Sequence, residues 1–177
     1  MFFDLIRNRR SIRQFKPVPV EKEKQALLVE AALRSPSSRG LNPWQFIVVD
    51  DPSLLASLSK SKAHGSSFLK NAPLGIVVCA DPAVCDVWVE DASIASIFIH
   101  LAAASLGLGS CWIQIRQRPH NTAMSADAYI KEMLHIPDNL MIESIIAIGY
   151  SDEIKQGHGS QTLDSDKVFF NRFGTKD

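Results

Sequence analysis

From Asp91 to Leu106 the sequence carries one charge, Asp91 itself, and no polar stripe. Small residues (Ala92, Ala95, Ser96, Ala102, Ala103, Ala104, Ser105) mix with large apolar ones, and Gly107 and Gly109 stop the run. A helix that is apolar almost all round must be covered on every side. A large core can do that, and so can a second subunit. In a chain of 177 residues, room for one ordinary domain or two very small ones, the subunit seam is the favoured reading. His100 then reads as a satisfied core or interface residue rather than a ligand. Glu90 and Asp91, adjacent at the helix start, read as capping residues.

The rest of the chain alternates helical and strand patterns. Phe2, Leu5 and Ile6 predict a short helix running to about Asn8. Pro17 and Pro19 break the chain, and a longer helix is expected from Glu21 to Arg34. The loop Ser35-Pro36-Ser37-Ser38-Arg39-Gly40 follows. Strands are predicted at Trp44–Val49, Leu74–Cys79, Ser110–Ile115 and Ile142–Ile148, with helices over Ser53–Lys60 and Ser125–Leu134. Leu74–Cys79 is nearly all apolar and therefore central. The pattern is an α/β or α+β sheet sandwiched by helices. Beyond Ser151 the chain turns polar until Phe169, Phe170 and Phe173, rings that must dock somewhere to be hidden.

Charge narrows the function classes. Lysine plus arginine equal aspartate plus glutamate at 19 each, which argues against wholesale nucleic-acid or membrane-surface binding. The balance hides a local +4: residues 1–16 hold Arg7, Arg9, Arg10, Arg13 and Lys16 against Asp4 alone. The most apolar segment is too short to span a bilayer, and the N-terminus has no signal-peptide pattern. The three cysteines, Cys79, Cys85 and Cys111, form no CxxC pair and match no zinc spacing. Cys79 and Cys111 read as core residues and all three as reduced thiols, so a cytoplasmic location is expected.

Few motifs carry chemistry. Walker, GxGxxG and GxSxG patterns are absent, and His64, His100, His120, His135 and His158 show no metal-ligand spacing. The cluster Arg9-Arg10-Ser11-Ile12-Arg13 suits a phosphate, because guanidinium forks match phosphate oxygens. It equally suits a solvated basic turn or a protein contact. With no acid–base or nucleophilic constellation, the chain fits a cofactor that brings its own chemistry.

The order of motifs resembles the FMN-dependent nitroreductase family. The carrying residues are Arg9-Arg10-Ser11-Ile12-Arg13-Gln14-Phe15, Ser35-Pro36-Ser37-Ser38, Asn42-Pro43-Trp44-Gln45-Phe46, Leu106-Gly107-Leu108-Gly109-Ser110-Cys111-Trp112-Ile113, Ile136-Pro137, Ile148-Gly149-Tyr150 and the tail Asp166–Gly174. Together they run in order over essentially the whole chain. The resemblance implies an α+β fold with a mixed central sheet, one domain over residues 1–177, in an intertwined homodimer. Residues 151–177 would be a C-terminal extension wrapping the partner. It implies FMN at the subunit interface, NADH or NADPH as reductant, and a nitroaromatic, a quinone or a similar small molecule as acceptor in a ping-pong cycle. Arg9, Arg10, Ser11 and Arg13 would bind the phosphate and ribityl chain, with Arg172 completing the clamp. Pro36, Ser37, Ser38 and Asn42 would reach the isoalloxazine from the partner, and Cys111, Trp112, Ile113 and Gln114 would line its face or edge. No catalytic side chain and no metal are implied. A non-enzymatic flavin-binding protein on the same fold is the alternative. Asn42 stands where glutamine is commoner, and the stretch from Lys60 to Asn71 is brief, with His64 read as an exposed loop residue.

Overall fold

Seven consecutive buried residues, Leu74–Ala80, form the strand around which the chain is organised. The computed structural model describes residues 2–176, so Met1 and Asp177, the expected domain limits, lie outside the described residues. In chain order the elements are α1 (Phe2–Asn8), α2 (Lys22–Leu33), β1 (Trp44–Val49), α3 (Pro52–Leu58), β2 (Leu74–Ala80), α4 (Trp88–Ser105), β3 (Gly109–Gln114), α5 (Ala126–Leu134) and β4 (Met141–Gly149). The sheet order is β1-β2-β4-β3. All three strand pairs are antiparallel. The parallel component of the expected mixed sheet is an isolated bridge between Ser11 and Ser110.

Local chemistry sets the boundaries. Asp51 caps α3 by accepting from the Ser53 and Leu54 amides at 2.8 and 2.9 Å, with Pro52 in the first turn. Ser125 caps α5 through the Ala128 amide at 3.0 Å. α4 ends in a left-handed Gly107 (φ 74°), whose neighbour Leu108 bonds back to the Ala103 carbonyl at 2.8 Å. Only glycine takes that backbone shape without strain.

Both sheet faces are covered, which makes the fold α+β and explains why β2 and β4 read as continuous apolar runs. On one face Val77, Cys79, Ile113 and Ile145 pack with Leu55, Leu58 and Ile130 of α3 and α5. On the other, Ile76, Val78, Ile146 and Ile148 pack with Leu28 and Ala32 of α2 and Ile99 and Ala103 of α4. The β2–β4 register slips between Val78 and Cys79, leaving Glu143 unpaired as a bulge.

The chain covers α4 on one side only. Ala92, Ala95, Ser96, Ile99, His100 and Ala103 are buried, while Ile94, Ile97 and Phe98 stay open at 38%, 50% and 37% exposure. The aromatic tail is likewise uncovered, with Phe173 92% exposed.

Candidate functional site

Residues 9–15 form a strap along the edge of β3. The Ile12 amide donates to the Ser110 carbonyl at 3.0 Å, and Phe15 bridges Ser151. Ile12 and Phe15 are buried anchors, while Arg13 and Gln14 between them face solvent. The strap can lie this close because Gly109 has no side chain: a Cβ there would sit 2.8 Å from the Ile12 Cβ.

Four cations converge on this strap. Arg9 and Arg10 are half-buried at the end of α1, and Arg10 donates to the Gln156 carbonyl. The Arg13 guanidinium lies 5.8 Å from the Phe68 ring centroid. Lys155 donates to the Ser11 carbonyl at 2.9 Å and pairs with Glu153 at 3.0 Å. Glu153 also accepts the Arg13 amide at 2.5 Å. Burial pushes the Glu153 carboxyl up, but the Arg13 amide and Lys155 together outweigh it and hold it below its usual range. A cavity of about 800 Å³ opens between α1, the end of α4 and the Ser151–Lys155 segment, lined by Arg9, Arg10, Ser110 and Lys155.

The second predicted group lies elsewhere. Pro36, Ser37, Ser38 and Asn42 belong to a loop beside the start of α4, where the Ser38 amide donates to Asp91 at 2.8 Å. Ser37 closes the loop by donating to the Asn42 side-chain oxygen at 2.7 Å and accepting the Asn42 amide at 2.9 Å. Asn42 has φ 49°, a left-handed conformation that asparagine tolerates and larger residues resist. That gives asparagine, rather than glutamine, a local purpose here. Asp91 and Ala104 are far apart along α4, about 20 Å at 1.5 Å per residue. One chain therefore brings Arg9 and Arg10 together in the cavity at one end of α4, with the Arg13 guanidinium turned toward Phe68, and the serine loop at the other end. Arg172 is exposed in the tail, where its backbone bonds run to Phe170 and Thr175.

Cys111, Trp112, Ile113 and Gln114 do not present one surface. Strand alternation sends Cys111 and Ile113 into the α3–α5 side as core residues, and burial raises the Cys111 thiol. Trp112 and Gln114 are half-buried on the other face and bonded to each other at 2.9 Å. What the four share is an edge strand, whose outer carbonyls at Ser110 and Gln114 accept from Ile12 and Lys62.

Several residues escaped the sequence reading. Lys62, half-buried in the short segment before β2, donates to the Gln114 carbonyl at 2.8 Å, and burial lowers its ammonium. A lone lysine in a polar loop carries no sequence signal; His64 nearby is exposed, as expected. Buried Glu143 bonds Gln114 at 3.3 Å, and burial raises its carboxyl. Asp91 does not cap α4 as expected: its amide already bonds Val87 inside the helix, and its carboxylate serves Ser38 instead. All three cysteines are buried and free. No cluster of potential metal ligands occurs among the described residues, and no described helix is long and apolar enough to cross a membrane.

His100 lies behind the strap, 2.7 Å from the Ser110 hydroxyl. Burial, with help from Arg9, pushes its imidazole down to about 4 from the ordinary 6.5. Between those values the unfolded chain binds a proton that the folded chain refuses, so stability falls as pH falls. The loss is roughly 3 kcal/mol across the window, and nothing changes above it. Denaturant titrations at neutral pH and near pH 4.5 will show a smaller acid loss in His100→Gln than in the unmodified protein.

Comparison with known proteins is consistent along the chain. The model of the nitroreductase family matches residues 6–66 and 53–150. An Archaeoglobus fulgidus protein named "Putative NADH dehydrogenase/NAD(P)H nitroreductase" is 37% identical over 155 residues, 85% of this chain and 86% of its own length. The NADPH-flavin oxidoreductase of Vibrio harveyi is 26% identical over 159 residues, 81% of this chain and 63% of its own. Among solved structures, an FMN-dependent nitroreductase from Clostridium difficile R20291 superimposes with a TM-score of 0.95 at 52% identity, covering 97% of this chain and 99% of that one.

Proposed function

The chain belongs to the nitroreductase family, and on that footing we propose that it is a homodimeric reductase of nitroaromatics, quinones or similar acceptors. Its class is NAD(P)H-dependent FMN oxidoreductase. The observation that carries the reading is the arginine strap along Gly109–Cys111.

The residues fit FMN. Arg9, Arg10 and Lys155 outnumber Asp4 and Glu153 around one cavity, and a phosphate dianion supplies the missing negative charge. Guanidinium–phosphate bonds contribute roughly 1.5–3 kcal/mol each. Ser11 adds a hydroxyl. Lys62, on the Gln114 carbonyl, would offer a cation to a flavin ring held along β3. When bound, the flavin supplies the redox chemistry, accepting hydride from NAD(P)H and passing electrons to the acceptor. The chain's own residues bind, orient and shield; no side chain need act as base. Reductant and acceptor would meet the same flavin in turn, a ping-pong cycle.

The same geometry calls for two subunits. The strap and the serine loop sit at opposite ends of α4, whose outer face is an open apolar stripe. A two-fold axis across that stripe packs α4 antiparallel on its copy and brings one chain's Pro36–Asn42 loop to the other's strap. The exposed extension from Ser151 onward, with Ile154, Leu163 and Phe173 uncovered, wraps the partner, and Arg172 travels with it to the phosphate. A cytoplasmic location suits three free thiols.

The purified protein will be yellow and release FMN on denaturation. Under anaerobic conditions NADH or NADPH will bleach it, and a quinone or nitroaromatic will restore the colour. A colourless protein that refuses added FMN overturns the reading; bound flavin that neither nicotinamide bleaches overturns the reductase assignment.

A further inference from the structure

Asp91 is only 2% exposed, yet its carboxylate is not used by its own helix. One oxygen accepts the Ser38 amide at 2.8 Å, and the other is buried without a hydrogen-bond partner among the described residues. A carboxylate removed from water at this depth is costly, and a single hydrogen bond offsets only part of that cost. The segment it grips is the one that most needs holding. Arg39, Gly40 and Asn42 all adopt positive φ (55°, 66° and 49°), a conformation that two of them, as non-glycine residues, reach only against a steric penalty. Ser38 opens the short 3-10 turn Ser38–Gly40, and no side chain within that turn satisfies its first amide. Asp91 supplies that acceptor from another element, in a charge-assisted bond. The first turn of α4 also favours a negative charge at this position.

We infer that Asp91 is a positioning residue: it holds the Ser37–Asn42 loop in the shape that closes the flavin site of the other subunit. The inference rests on the homodimeric reading above and assigns Asp91 to the partner's site, whereas Arg9 serves the site of its own chain. The geometric basis is that Asp91 and the strap occupy opposite ends of one helix, so a residue gripping the loop cannot act on its own chain's arginines.

The test is FMN binding, read by quenching of flavin fluorescence, on the full-length dimer. Asp91→Ala is expected to weaken FMN binding by at least about tenfold while the protein stays dimeric. Asp91→Asn, which keeps a side-chain oxygen facing the Ser38 amide, should bind within about threefold of the unmodified protein. Ser38→Pro removes the amide donor from the other side, leaves Asp91 in place, and should reproduce the alanine defect; it covers the case in which Asp91→Ala fails to fold. The decisive arm is a heterodimer of one Arg9→Ala subunit and one Asp91→Ala subunit, purified by two tags. One of its sites has both defects and the other has neither, so it should bind one FMN per dimer at normal affinity. Normal binding by Asp91→Ala overturns the inference, as does an Asp91→Asn defect as large as that of alanine. A heterodimer with no normal site overturns the assignment to the partner's site. Unimpaired FMN binding by the Arg9→Ala homodimer would instead strike at the phosphate reading and leave the Asp91 arms to be judged on their own.

Discussion

Replacing Ile97 by aspartate will leave the protein monomeric and strip it of flavin. Ile97 is the most exposed residue of the α4 stripe, at 50%, and its neighbours Ile94 and Phe98 stand beside it. Burying such side chains against a second copy is worth roughly 1.5–3 kcal/mol each, counted once per subunit. Aspartate removes that gain and places two carboxylates face to face across the axis. Taking each out of water costs several kcal/mol more, so the penalty exceeds what the remaining contacts of the stripe return. The domain itself will survive, because Ile97 points away from the core that Ile99 and Ala103 build. Sedimentation should give a monomer with an unchanged far-ultraviolet spectrum. FMN affinity should fall by at least about a hundredfold, since each strap then lacks the loop of its partner. A dimer that keeps its flavin would exclude α4 as the seam.

The second large effect concerns the phosphate. Arg9→Ala will weaken FMN binding by about 10- to 150-fold, the value of one charge-assisted bond to a dianion. The sharper reading uses riboflavin, which lacks the phosphate. Its affinity should hardly change, so the variant's preference for FMN over riboflavin collapses. Adding salt should weaken FMN binding in the unmodified protein more steeply than in the variant, because one screened cation has been removed. Equal losses for both flavins would mean that Arg9 shapes the pocket rather than holding the phosphate. Arg9 also helps depress His100, so the variant's acid stability loss should shrink slightly alongside.

Much of this was legible in the residues. The strand boundaries at Trp44–Val49 matched, and the others fell within a residue or so, because apolar periodicity and turn residues act locally. Ser125, Asp51 and Gly107 announce their helix ends for the same reason. The basic cluster, too, is visible as a run of charge. How Cys111–Gln114 would meet a flavin face or edge was not legible, because a strand sends neighbouring side chains to opposite faces. Asp91 looked like a helix cap because sequence position cannot say which amide a carboxylate will meet. Lys62 and Glu143 carry no motif at all; each matters through a partner far along the chain, Gln114 in both cases.

By itself, then, the sequence determined the elements, the absence of motif chemistry and the sign of charge at the strap, since those follow from composition and spacing of near neighbours. Only the tertiary structure decided that the apolar helix is covered on one side and open on the other. It alone set the strap and the serine loop at opposite ends of that helix. Both facts depend on which distant segments pack together, and packing is settled by the whole set of long-range contacts rather than by any local run of residues.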